Sequence, residues 1–560
     1  MAESGDNGFS RRAVLQGAGV GVAAMMLPQL SAAQPPAPRW KRWNVTSTEG
    51  RGMLVSYQRA ISAMLALPPQ DPRNWYRNAL IHTVDCPHGN WWFLPWHRGY
   101  VGWFEQTCRE LSGNPDFAFP YWDWTVDKAV PDEMYQGMLD PTNQAFIDSG
   151  ALFKAAFGPV VQDWWSRLSN AQIGQLLNRG VRFPADLWFD ILEDPRGVMF
   201  FDRLHARGLP ASAPQLDPTT ALAVSTPTIL QALGAPDFIT FGSPKTMFHS
   251  GLTGFGILEG SPHNLVHNCV GGVYNSNPAD QQGFMQSNLS PVDPLFFLHH
   301  SNIDRLWDVW TRKQLAMAAV TRRPQTDFPI LPDGYLTPAI PKTDWAGWSK
   351  EPFLFYVAKD GTPVGPAKAG DYASIGALSY NYQPGSGEEI VPVTSSAMLR
   401  ATPRRQARSF MTEVALPAAR SGHGGAATLQ STPSLLASAQ SGARLHATVT
   451  LSLSPDGHRS KFHFLLNAPE GTTLATGDRH RIGTFAMFGH HVVPPATVSF
   501  TVPLTEAVAG LRRQNLLRAN APVTISLLVE EHEGHAPRLM VAMPERASAA
   551  HIVSVVVDAR

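Results

Sequence analysis

Two helix starts in the second half of the chain each deliver histidine to a face that is otherwise apolar. Ser261-Pro262 reads as an N-cap followed by proline at the first helical position. His263 and His267 follow four residues apart, which places both imidazoles on one helix face with Cβ atoms about 6 Å apart. Asp293-Pro294 predicts a second start, and its face carries Leu295, His299, Ile303, Leu306 and Trp310. A polar ring on such a stripe is costly without a partner. A metal shared by His263, His267 and His299 would supply one. His300 points to another face and reads as packing or support for the ligands. The four-residue histidine pair also occurs in zinc sites. Here Asn264 stands where a zinc protease carries its glutamate, and no nearby carboxylate reads as a third ligand.

A second cluster lies upstream. His82 falls near the end of a helical stretch, Cys86-Pro87-His88 follows in a loop, and Leu94-Pro95-Trp96-His97-Arg98 opens a helix with His97, Val101 and Glu105 on one face. One loop histidine and two helix-borne ones can converge on a second metal. Spacing alone leaves that open, because most of the 19 histidines need no function.

The 560 residues are too many for one compact domain. A helical region is predicted from Ser47 to Gly113, broken at Pro68-Pro69 and near Pro87. A long proline-bearing stretch with mixed helical patterns covers 127–245, and 314–385 is loop-rich. Alternating segments at Leu445–Leu453, Lys461–Leu466, Val498–Val502 and Val523–Val529 predict strands, hence a separate C-terminal β-domain, a sandwich. With 45 basic and 45 acidic residues the formal charge is zero, which gives no reason to expect a nucleic-acid or anionic-membrane partner. Three cysteines make no disulfide framework. Arg11-Arg12, an apolar run to Leu30 and the small residues Ser31-Ala32-Ala33 predict an export signal of the twin-arginine type, placing the protein in the periplasm or outside the cell. That run is too short for a lasting membrane span, and no other span is predicted.

Taken together, the motifs resemble the tyrosinases, catechol oxidases and hemocyanins. His82, Cys86-x-His88, Leu94 to Arg98 and Glu105 are similar to that family's first copper motif, followed by Phe119 to Trp124. Pro262-His263-Asn264-x-x-His267, Gly271-Gly272 and Asp293 to Trp307 resemble the second, and Tyr380-x-Tyr382 resembles the segment that closes the catalytic domain. The resemblance covers roughly residues 40 to 385. It implies a mainly α fold: a four-helix bundle holding two copper ions, followed by the smaller C-terminal β-sandwich. The expected boundaries are 1–33 for the signal, 34–385 for the dicopper domain, 386–435 for a linker and 436–560 for the β-domain.

By the same resemblance His82, His88 and His97 bind one copper, and His263, His267 and His299 the other. The substrates are phenols, catechols and dioxygen; a homo-oligomer is compatible with it. Cys86 is expected to form a thioether to His88, as in fungal members, leaving Cys108 in the core and Cys269 without a role. Glu259 and Asn264 are expected to hold a water that takes a proton from a phenol, which favours tyrosinase over catechol-only oxidation. Asp304 and Arg305, with Arg98, Glu105 and Asp123, are expected to orient and support. Asn268 and Phe284–Leu289 are placed at the substrate entrance. The C-terminal domain is expected either to cover the site, with Phe485 or Phe488 beside His490 and His491 over the copper pair, or to stabilise or join copies. Arg404, Arg405 and Arg408 offer a processing site. Rival readings are a catechol oxidase, an o-aminophenol oxidase and a hemocyanin-like oxygen carrier.

Overall fold

The computed structural model describes residues 38–187, 206–274, 283–320, 340, 342–390, 408–411, 423–430, 444–454, 457, 459–475, 478–488, 497–515, 522–531 and 549–559. The expected export signal, Arg404, Arg405, His490 and His491 lie outside the described residues. Among the described residues no helix is long and apolar enough to cross a membrane.

The fold is mainly helical in its first two thirds and ends in two packed sheets. The helical run expected from Ser47 resolves into α1 (Thr48–Ala66), α2 (Trp75–Asp85) and α3 (Phe93–Ser112). Ser47 caps α1 by accepting from the Gly50 amide at 3.0 Å, and Asn74 caps α2. α3 stops at Gly113, whose φ of 69° is the left-handed C-cap conformation that glycine adopts without a Cβ penalty. The second motif region gives α4 (Asn264–Val270) and α5 (Leu295–Val320). As expected, Asp293 caps α5, its carboxylate accepting from the Leu295 amide at 3.0 Å.

The expected start at Ser261-Pro262 is corrected. The chain is already helical from Ile257, and Glu259–His263 form a π-helical turn that runs into α4. A proline has no N–H to donate and its ring crowds the preceding carbonyls. The wider π turn accommodates Pro262 inside the helix, a local irregularity often found at functional sites.

β1 (Gly254–Phe255), β2 (Arg408–Met411), β3 (His423–Gln430), β4 (Leu445–Leu453), β5 (Lys461–Leu466), β6 (Arg481–Ala486), β7 (Thr497–Pro503), β8 (Pro522–Glu530) and β9 (Ala550–Ala559) build the C-terminal sheets. One sheet runs β6-β5-β8-β3 and the other β1-β7-β4-β9-β2. Inward-facing Phe462, Phe464, Phe485, Phe500, Ile525 and Val557 fill the space between them. β2 and β3 lie inside the segment expected to be a linker, so the sheet reaches back across that boundary. The Gly-rich sequence of β3 and the shortness of β2 conceal the alternation that exposes longer strands. The helical part is closed by a short parallel pair, Trp40–Arg42 with Tyr380–Tyr382.

A buried histidine centre

α2 presents His82, the following loop His88, and α3 His97. These rings lie 5.3, 5.5 and 5.2 Å apart, centroid to centroid. The π turn and α4 present His263 and His267, 4.5 Å apart. His88 and His263 face one another at 5.7 Å, so the two groups form one centre. Phe93, Trp96 and Phe296 wall it.

α5 brings both of its histidines into this centre. His299 stands 5.4 Å from His263 and 4.9 Å from His267. His300 stacks on His97 at 4.4 Å and sets its Nε2 3.0 Å from His267 Nε2. The expectation that His300 points elsewhere is therefore corrected. α5 is buried all round in this stretch, so rings about 100° apart on the helix both reach the centre. The ligand atoms of His263, His267, His299 and His300 lie within 4.8 Å of one another, as do those of His82, Cys86 and His88.

Protonation follows from the partners. His82 Nδ1 lies 2.7 Å from the Asn288 carbonyl, His97 Nδ1 2.8 Å from that of Phe93, and His267 Nδ1 2.7 Å from that of Met285. A carbonyl only accepts, so each Nδ1 carries the proton and each Nε2 turns a lone pair inward, an arrangement common around ligating histidine. His263 Nδ1 likewise faces Asn264 Oδ1 at 2.8 Å. Burial pushes the His97 and His267 rings down to about 3, and holds His82, His88 and His263 well below the usual range, so all are neutral near pH 7. His82 Nε2 and His97 Nε2 approach to 3.4 Å. Among the described residues His88 Nε2 and His263 Nε2 are buried without a hydrogen-bond partner. Neutral imidazole nitrogens converging in a buried space, with no carboxylate in the group among the described residues, suit copper.

His299 differs. Trp124 Nε1 donates to its Nδ1 at 3.1 Å, so the neutral ring carries its proton on Nε2 and has no lone pair left.

The supporting residues hold the frame. Asp304 pairs with Arg42 (3.1 Å) and Arg98 (2.6 Å) and accepts from the Tyr380 and Tyr382 hydroxyls. Arg305 donates to Asn302 Oδ1 and to the Ser386 carbonyl, with Asp123 3.7 Å away. Glu105 pairs with Arg42 and Arg109. These contacts tie α3 and α5 to the closing segment. Sequence reading missed His249. Its ring donates to the Asp85 carbonyl at 2.7 Å and lies 3.2 Å from Glu351. Burial opposes its charge, but Asp85 and Glu351 outweigh burial and raise it to about 9, so a cation braces the loop ahead of His88. A lone histidine outside both clusters carries no sequence signal of that role.

Glu259 is fully buried, accepting from the Gly89 amide at 2.8 Å and from the Ser243 hydroxyl. It thereby joins the π turn to the loop of His88. Burial raises its carboxyl above the usual range, partly offset by those two bonds. Cys86 Sγ lies 3.4 Å from His88 Nδ1. In the Phe284–Leu289 segment, the Met285 and Asn288 carbonyls fix one histidine of each group.

The C-terminal part reaches into the centre. Phe488 stacks on His267 at 4.0 Å and meets His88 at 5.0 Å and His263 at 5.5 Å. Asn264 Nδ2 donates to the Ala486 carbonyl at 2.7 Å, and Asn268 Nδ2 to that of Met487 at 2.8 Å. Phe485 instead belongs to the sandwich core, 5.7 Å from Phe464 and from Phe500. It lies within β6, on the side that faces the opposite sheet, so it is not over the histidines.

A mainly helical frame with two groups of neutral histidines around one buried centre defines a two-metal protein with imidazole ligands. Residues 70–313 match the family model for the common central domain of tyrosinase. That region belongs to the tyrosinase and polyphenol oxidase family, the type 3 copper proteins, which use a pair of copper ions. The chain is 28% identical over 278 residues to (+)-larreatricin hydroxylase of Larrea tridentata, covering 46% of this chain and 38% of that protein. It is 28% identical over 289 residues to the tyrosinase HcTyr1 of Hahella sp. (strain CCB-MM4), covering 45% and 50%. These matches span half or less of the relatives' length. Over the fold, it resembles a latent aurone synthase (polyphenol oxidase) with a TM-score of 0.56 at 19% identity, covering 94% of this chain and 91% of that one. Latent apple tyrosinase gives 0.52 at 17% identity, covering 94% and 99%.

Proposed function

We propose that this chain is a latent tyrosinase that o-hydroxylates monophenols and oxidises o-diphenols to o-quinones. The observation that carries the reading is the convergence of six neutral imidazoles, three from each half, beneath a single aromatic ring, Phe488. His82, His88 and His97 would hold one copper; His263, His267 and His300 would hold the other, with His300 replacing the expected His299 because Trp124 occupies the His299 lone pair. When bound, the pair supplies the electrons that reduce dioxygen and the oxidising power that converts phenols to quinones.

The chain's own residues do the rest. The aromatic walls enclose the centre, and backbone carbonyls fix the rings of His82, His97 and His267 through their Nδ1 protons. Glu259 is the base: a buried carboxylate with raised basicity takes the phenol proton through a water, since a phenolate binds metal better than a phenol. Asn264 steadies His263 through Oδ1, and its Nδ2 becomes available for that water once the Ala486 carbonyl departs. Glu259→Gln in an opened enzyme is expected to lower tyrosine turnover about a hundredfold while catechol turnover stays within a few-fold. Oxygen uptake with the two substrates checks it; equal losses on both would remove Glu259 as base, and activity on catechol alone in the parent enzyme would make the chain a catechol oxidase.

The 3.4 Å between Cys86 Sγ and His88 Nδ1 supports a thioether between the two residues. The bond replaces one S–H and one ring C–H, so the copper-loaded, oxygen-exposed protein is expected to weigh two hydrogens less than the apo form. An unchanged intact mass would rule the link out. Arg11-Arg12 ahead of the apolar run to Leu30 supports export in the folded state by the twin-arginine route, which cell fractionation checks.

A further inference from the structure

Backbone carbonyls hold the rings of His82, His97 and His267 at Nδ1. His88 has no such support among the described residues. Its Nδ1 faces the Cys86 sulfur at 3.4 Å, a weak partner, and its buried Nε2 has none. The backbone that carries this ring therefore sets where it stands. That backbone is the loop 86–92 between α2 and α3. Pro87 has no N–H with which to close the loop on itself.

The loop is fastened from outside instead. α2 ends at Asp85 with Cys86 as its cap, and the last carbonyls of a helix lack partners within it. Two cations take the carbonyls there. His249 Nε2 donates to the Asp85 carbonyl at 2.7 Å. Arg179, which caps the helix Asn170–Asn178, donates to the Cys86 carbonyl from Nη1 at 2.9 Å and also from Nη2. A helix dipole favours positive charge at this end. Past His88, the Gly89 amide donates to Glu259 at 2.8 Å, and the Gly89 carbonyl accepts from the Thr253 and Gly254 amides at 2.9 and 3.0 Å. Asn90 Nδ2 reaches the His249 and Gly251 carbonyls, each at 3.0 Å. Gly89 has a φ of 65°, and a Cβ there would stand 1.9 Å from a Leu252 side-chain carbon, so the strap allows only glycine. The two cations differ in what their loss leaves behind. His249 lies between the carboxylates of Asp85 (3.3 Å) and Glu351 (3.2 Å), so removing it strands buried charge. Removing Arg179 frees one carbonyl.

We propose that Arg179, together with His249, positions His88 for copper by clamping the Cys86 and Asp85 carbonyls. The site of His82, His88 and His97 depends on this clamp; the site of His263 and His267 does not. Arg179 acts through the Cys86 carbonyl, so it is a positioning residue. This rests on the reading of these histidines as copper ligands given above. Outer partners that orient a ligand are worth about tenfold to a hundredfold in metal affinity.

The test uses the full-length chain produced without copper, so that Cys86 and His88 are not yet joined. Two parent variants isolate the sites: His267→Ala leaves the first intact, and His97→Ala leaves the second. Copper(II) is titrated into each against a competing chelator, with and without Arg179→Ala. Arg179→Ala is expected to weaken binding about tenfold or more in the His267→Ala chain and less than about twofold in the His97→Ala chain. Arg179→Lys keeps the charge and one donor, and is expected to recover binding to within about threefold of the parent. Hydrogen exchange of the copper-free Arg179→Ala protein is expected to quicken across 85–92 and to stay unchanged across 259–270. Undiminished binding in the His267→Ala chain overturns the proposal. So does equal weakening in both chains, which would mean a general loss of structure. If neither parent binds copper, the ligand reading fails, and the exchange pattern alone decides whether Arg179 holds the loop.

Discussion

Phe488→Ala is expected to raise catechol turnover of the full-length chain by about tenfold or more while both coppers stay bound. The ring lies at stacking distance from His267 and edge-on to His88 and His263, the place an incoming phenol would occupy. Closure is held by ring contacts worth about 0.5–1.5 kcal/mol and by the Asn264 and Asn268 bonds, each about 1 kcal/mol. A total near 3 kcal/mol keeps the open state at roughly one molecule in a hundred. Truncating the ring removes its contacts and empties the space even before the backbone moves. Oxygen uptake with catechol, alongside copper analysis, reads the outcome. An unchanged rate with full copper would mean that Phe488 does not limit access. Phe485→Ala should instead lower stability, because that ring belongs to the sandwich core.

The second large effect separates the two adjacent histidines of α5. His300→Asn is expected to leave about one copper per chain and to lower turnover a hundredfold or more, since losing one metal forfeits roughly 3 kcal/mol or more of charge stabilisation. His299→Asn is expected to keep both coppers and most of the activity. The asparagine oxygen can still accept from Trp124, and the wild-type His299 has no lone pair to give. The reverse pattern would restore His299 as the ligand, as its position on the apolar stripe implied. Both variants are measured in the Phe488→Ala chain, so that access limits neither.

That reversal shows how far sequence periodicity reaches. An apolar stripe identifies which side of a helix faces the nearest core, and His299 does lie on it. α5 is enclosed on every side near the centre, so the stripe loses its power to exclude His300. What distinguishes them is Trp124, 175 residues away in the chain, which donates to His299 Nδ1. The π turn at Glu259–His263 was equally hidden. Ser261-Pro262 has the composition of a helix start, and only the helical residues packed before it show that the proline sits inside. Phe488 was legible as a candidate but not distinguishable from Phe485, because their separation depends on where β6 ends.

Sequence by itself determined the chemistry: two histidine clusters of fixed spacing, a cap at Asp293, glutamate at 259, asparagine at 264 and a change from helical to strand periodicity near the C-terminus. These are local properties, set by spacing and by side-chain type. Only the tertiary structure decided which nitrogen of His82, His97 and His267 turns inward, that His299 and His300 both reach the centre, and that the C-terminal sheet binds the edge strand ahead of Glu259. Each of those depends on a partner distant in sequence: carbonyls at 285 and 288, the indole of Trp124, and β7. Such contacts are fixed by packing in three dimensions, which no local pattern encodes.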